Sequence, residues 1–101
     1  MQVISLETAR RSRALVVVAG VDGEQTEAES ERWRRRGAVV MRARDAGGCL
    51  RMATSVGPDL IVLDRRLRGR LVRLLRAHPV SARARIDWLP EADTGAEPRA
   101  A

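Results

Sequence analysis

Apolar residues gather in four short runs along this chain, at 14–18, 38–41, 60–63 and 86–89, the first three unbroken and the last interrupted by Asp87. A short apolar run bounded by turn signals predicts a buried strand. The first, 14–18, has no polar alternation and should be covered on both faces, as parallel strands are. Between the runs the spacing is helical. Residues 24–36 carry acids first and arginines last and stop at Gly37, an order that suits the helix dipole and a glycine stop. The spacing predicts an (i, i+4) pair between Glu31 and Arg35. Only Ala28 and Trp33 offer this helix an apolar face, so it should be the least firmly packed. Ala46, Cys49, Leu50 and Ala53 share one face of a second short helix, weakened at its start by Gly47-Gly48. Leu67, Leu71, Leu74 and Leu75 form a buried stripe on a third helix, from about 67 to 78, ended by Pro79.

The order βαβαβαβ predicts an α/β fold: a flavodoxin-like parallel sheet of about four strands in the order 2-1-3-4, with right-handed crossovers and flanking helices. Residues 1–13 read as an arm, 14–90 as the domain and 91–101 as a solvated tail. One domain is what 101 residues allow. No run is long enough to span a bilayer, the start lacks a signal-peptide layout, and one cysteine excludes an internal disulfide, so a cytoplasmic protein is expected.

The third run ends on Asp64. In an open α/β sheet, chemistry collects outside the carboxyl ends of the strands, so this carboxylate stands where a reactive group is expected. Capping the next helix is the alternative.

The stretch Pro58-Asp59-Leu60-Ile61-Val62-Leu63-Asp64 resembles the strand that carries the phosphoacceptor aspartate in receiver domains of two-component response regulators. Residues 71–80 with Ala82-Arg83 are similar to that family's third helix and the turn into its fourth strand. The resemblance covers roughly residues 14–90. It implies a phosphorelay, a phosphoacceptor at Asp64 and Mg²⁺ as cofactor. It also implies an acidic pair after the first strand, a hydroxyl residue after the fourth and a lysine after the fifth. Here the acidic pair falls at about Ala19 and Gly20, and the hydroxyl position at Pro90. There is no lysine, and the pattern runs out after four strands. After Asp64 the family's proline and glycine are matched, in Arg65-Arg66-Leu67-Arg68-Gly69, by Gly69 alone. Asp22, a little further along the first loop, is the one other carboxylate that could join Asp64 at a metal. The resemblance therefore implies a pseudo-receiver that is not an enzyme and needs no cofactor, Mg²⁺ mattering only if Asp64 is phosphorylated. Asp64 would then cap a helix or pair with Arg65 or Arg68.

Charge adds a rival. All nineteen basic residues are arginines, which excludes amine nucleophiles and a P-loop lysine. Residues 65–85 hold eight arginines and no acid, whereas 22–31 hold five acids and no base. The arginine block could bind phosphate backbones, although no helix-turn-helix, zinc finger or stacking platform accompanies it. It could equally meet the acidic segment of a second copy. A protein partner or self-association through the fourth-strand edge and the third helix is expected, with Arg70, Arg73, Ile86, Trp88 and Leu89 as interface residues and no membrane partner. Gly20-Val21-Asp22-Gly23 lacks a full dinucleotide motif. Cys49 reads as core, and His78 as a helix-end cap.

Overall fold

Four short apolar-rich segments become four parallel strands, the two central ones wholly apolar and the two at the edges carrying charged residues. The structure, a computed structural model, describes residues 13–90. The expected tail, and the expected arm apart from Arg13, lie outside the described residues. The strands are β1 (Leu15–Ala19), β2 (Val39–Ala43), β3 (Leu60–Leu63) and β4 (Arg85–Trp88). They form one sheet in the order β2-β1-β3-β4, all parallel, as predicted. The helices are α1 (Gly23–Arg35), α2 (Ala46–Val56) and α3 (Leu71–Ala77), with a 3₁₀ turn at Arg65–Leu67 before α3. The fold is α/β and flavodoxin-like in topology.

The pleat sorts the core into two clusters. Val17, Ala19, Ile61 and Leu63 point to one face, where Cys49 and Ala53 of α2 and Leu71 and Leu75 of α3 cover them. Val16, Val18, Leu60 and Val62 point to the other, joined by Leu89 and by half-buried Trp33 of α1. Every residue of β1 and β3 is buried, as strands flanked on both sides must be. Asp59 anchors the sheet: its Oδ2 accepts from the Leu15 N–H at 2.8 Å, which fixes where β1 starts relative to β3.

α1 packs differently from the expectation. Ala28 is exposed, and the buried positions are Thr26, Glu29 and Ser30. Small polar side chains can face a sheet when their hydroxyls are satisfied locally. Thr26 donates to the Asp22 carbonyl at 2.7 Å, and Ser30 to the Thr26 carbonyl at 2.8 Å. The Glu29 carboxylate accepts from Trp33 Nε1 at 2.9 Å and from Arg32 at 3.1 Å. Glu31 pairs with Arg34, one residue before the expected Arg35.

The leucine stripe is also shorter than predicted. The 3₁₀ turn and the Arg68–Arg70 turn break the helical phase after Asp64. Leu71 and Leu75 remain (i, i+4) and buried, but Leu74 rotates outward and is 46% exposed. The helix stops at Ala77, one residue before His78, whose Nδ1 accepts from the Val80 N–H at 3.1 Å. At the end of α2, Gly57 takes φ +62 and its N–H closes on the Ala53 carbonyl, a left-handed stop that favours glycine.

Candidate functional site at the carboxyl edge of the sheet

Asp64 stands one residue beyond β3, at the central carboxyl edge of the sheet, where the strand order places it beside the end of β1. Its N–H donates to the Ala19 carbonyl at 2.9 Å, which continues the ladder and aims the side chain over the β1–α1 loop. The residue is 5% exposed.

Both carboxylate oxygens are engaged. Oδ1 accepts from the Arg66 backbone N–H at 2.9 Å and from Arg66 Nε at 3.1 Å. Oδ2 accepts from Arg66 Nη2 at 2.9 Å and from the Val21 N–H at 3.2 Å. Asp64 is thus the N-cap of the 3₁₀ turn and one half of a two-pronged ion pair. The sequence pointed to Arg65 or Arg68 as its partner. The turn overrules both, because a cap two residues ahead of its donor brings Arg66 back over the carboxylate. Arg65 lies instead over the Trp88 ring, 5.1 Å from its centroid.

Electrostatics follow from this geometry. Burial alone would raise the Asp64 pKa. The hydrogen bonds from the Arg66 side chain, the Arg66 and Val21 N–H groups and the guanidinium charge outweigh burial, so the carboxyl sits below its ordinary value. Arg66 is held still more firmly protonated by its hydrogen bond to Asp64, with the charges of Asp64 and Asp22 adding to it.

Asp22 borders the same cavity of about 280 Å³ as Asp64, with Arg66, Leu89 and Pro90. Its Oδ1 caps α1, accepting from the Gln25 N–H at 3.1 Å. The positions matching the acidic pair offer nothing to a cation. Ala19 is fully buried, and Gly20 is walled in: an added Cβ would meet Thr26 Oγ1 at 2.5 Å and Leu89 Cδ1 at 2.9 Å. Mg²⁺ requires near-octahedral oxygen ligation. Two carboxylates, one committed to a guanidinium and one to a helix cap, do not suit it. Among the described residues no three His, Cys, Asp or Glu side chains converge on a common point. A larger hollow of about 620 Å³ beside it is bordered by Gly20, Val21, Thr26, Arg42 and Arg44, with no carboxylate or thiol.

The expected interface residues are only partly brought together. Arg70 and Arg73 are exposed on and before α3, and no ion pair among the described residues engages them. Ile86 and Trp88 are half-buried on β4. Leu89 is a correction. It is 4% exposed and packs with Val16, Val18 and Val62, because the residue after β4 turns to the α1 face and fills the space beside Gly20. Arg76, within the arginine block, is structural: Nη1 donates to the Ala82 and Ala84 carbonyls at 3.0 and 2.8 Å. Three of the five acids of the acidic segment are paired within their own chain. Glu27 pairs with Arg34 and Arg42, Glu29 with Arg32 and Glu31 with Arg34.

Among the described residues no helix is long and apolar enough to cross a membrane. No protein-family model, no curated protein and no solved structure matches the chain.

Proposed function

We propose that this chain is a receiver-like signalling domain of the cytoplasm that works through protein contact and transfers no phosphoryl group. The observation that carries this reading is the Asp64–Arg66 pair. Asp64 occupies the position in the sheet where a phosphoacceptor would stand, yet both its oxygens are held by donors. An attacking carboxylate oxygen must be free, and the charge that builds up in phosphoryl transfer must be met by a cation near it. Here a tethered guanidinium fills the space in front of the carboxylate. The pair keeps the switch-point loop closed against the sheet, linking the β1–α1 loop through Val21 to the turn after β3. What the fold then offers a partner is its surface: the edge of β4 and the exposed arginines of the α3 region.

Incubation with acetyl phosphate and Mg²⁺, followed by intact mass, is the direct test. No gain is expected. A Mg²⁺-dependent gain of about 80 Da, one phosphoryl group, lost in Asp64→Asn, would reinstate Asp64 as a phosphoacceptor.

The unpaired state of Arg70 and Arg73 among the described residues favours a second reading, a phosphate-backbone contact. It predicts retention of nucleic acid with a steep dependence on salt and loss in Arg73→Ala. The absence of any exposed aromatic platform beside these arginines leaves protein contact the better supported reading.

A further inference from the structure

We propose that β4 is the seat of a two-fold dimer, in which its outer edge pairs antiparallel with β4 of a second copy and sets Arg85 against Asp87 of that copy, twice. This rests on the protein-contact reading above and gives that contact its partner and its register.

The backbone supplies the first half of the argument. The Arg85 N–H donates to the Asp59 carbonyl at 3.0 Å and the Leu89 N–H to the Leu63 carbonyl at 2.9 Å. Odd-numbered positions of β4 therefore turn their peptide groups to β3. Ile86 and Trp88 turn theirs the other way, to the outer edge. Among the described residues no strand lies beyond β4. Such an edge is a template for another strand.

The side chains supply the second half. Arg85 and Asp87 lie opposite Leu60 and Val62 in the β3 register, so both project from the same face of the sheet. No ion pair among the described residues engages either one. A two-fold axis through Ile86 makes Ile86 meet its own counterpart as a hydrogen-bonded pair. It then places Arg85 and Asp87 in the closer, non-hydrogen-bonded sites on either side, each facing the opposite charge. Sliding one step in one direction puts Asp87 against Asp87. Sliding in the other puts Arg85 against Arg85. The Arg85–Arg85 register would also need the Ala84 peptide groups, which Ser81 and Arg76 already hold within the chain, and the Asp87–Asp87 register meets like charge. A two-fold contact of this kind is self-complementary and closes at two copies.

The alternative contact within a dimer, arginines of one copy on the acidic helix of the other, has little to attract it. Glu27, Glu29 and Glu31 of α1 already hold arginines of their own chain.

The experiment is sedimentation equilibrium of the full chain over a concentration series reaching about 1 mM, at about 150 mM salt, where long-range repulsion between cationic copies is screened. A monomer–dimer equilibrium is expected. Arg85→Asp and Asp87→Arg each weaken it by about tenfold or more, because each creates two like-charge pairs. Mixed in equal amounts, the two variants associate with each other as tightly as wild type, within about threefold, since every cross-strand pair is again opposite in sign. The Arg85→Asp/Asp87→Arg double variant recovers likewise. Ile86→Pro removes an N–H that no β3 carbonyl uses and abolishes the dimer, with circular dichroism checking that the fold is retained. A chain that stays monomeric throughout overturns this inference while leaving the protein-contact reading to its phosphodonor test. A dimer indifferent to both reversals and to Ile86→Pro overturns it too, and places the contact elsewhere. A monomer that holds duplex DNA until salt releases it overturns both.

Discussion

A Cβ on Gly20 would stand 2.5 Å from Oγ1 of Thr26. The close approach explains why the loop after β1 takes glycine, and it carries a consequence for function. Thr26 is pinned by its bond to the Asp22 carbonyl, and Leu89 presses from the other side. Gly20→Ala should therefore destabilise the fold by about 1–3 kcal/mol through overpacking, read as a lowered urea midpoint. Gly20→Asp, which would install an acid at the position matching the receiver pattern, should destabilise further and create no Mg²⁺ site. Stabilisation of that variant by Mg²⁺ would show that the loop can open.

Leu74 and Leu75 are adjacent leucines with opposite environments, 46% and 0% exposed. Leu75→Ala should cost about 2–5 kcal/mol, the usual range for a buried leucine whose cavity cannot collapse. Leu74→Ala should change stability by no more than about 0.5 kcal/mol, as surface substitutions do. Chemical denaturation of the pair tests the helical phase of α3 directly. Equal losses would mean that the helix runs in one phase from Leu67.

Buried parallel strands write themselves plainly into a sequence, because both faces must be apolar. Val16–Val18 and Leu60–Leu63 could hardly be read otherwise, and crossover rules narrow the possible strand orders to a few. The position of Asp64 at the end of β3 was legible for the same reason. Its partner was not. Three arginines lie within four residues of it, and only the dihedral angles of a 3₁₀ turn decide that Arg66 folds back. The packing of α1 was hidden by a different effect. Thr26 and Ser30 look like a polar surface until their hydroxyls are seen to bond backward along the helix. The exposure of Leu74 and the burial of Leu89 depend on where one turn ends, a boundary that periodicity does not resolve.

Cys49 tests the core from another direction. It is fully buried on α2, and burial pushes its thiol up to about 11. The thiolate is the reactive form, so at about neutral pH almost none is present and none is reachable. A maleimide or disulfide reagent should leave the native chain unmodified while labelling it rapidly in urea. Cys49→Ala should cost about 1 kcal/mol and Cys49→Ser more, since its hydroxyl would be buried without an assured partner. Rapid labelling of the folded protein would contradict the placement of α2 against β1.

The Asp64–Arg66 pair makes a prediction whose sign can be worked out. The folded pKa of Asp64 lies below the ordinary carboxylate value. A carboxyl of this kind contributes stability that is fully present above its unfolded pKa, about 4, and is lost as pH falls through the folded value. Wild type should therefore lose stability on acidification below about pH 4, and Asp64→Asn should flatten that limb. Asp64→Ala should cost about 1–3 kcal/mol near neutrality, because it strands the Val21 and Arg66 N–H groups. Arg66→Ala is the more telling variant. It removes the side-chain bonds and the charge that hold the pKa down and leaves the burial that raises it. Its deficit relative to wild type should be largest near neutrality and should shrink as pH falls through the lowered folded pKa of Asp64, since a neutral carboxyl no longer needs a guanidinium. Urea unfolding of the two proteins across that range measures the difference. A deficit that stays constant with pH would mean that Arg66 acts through packing, and that the carboxylate is held by the backbone alone.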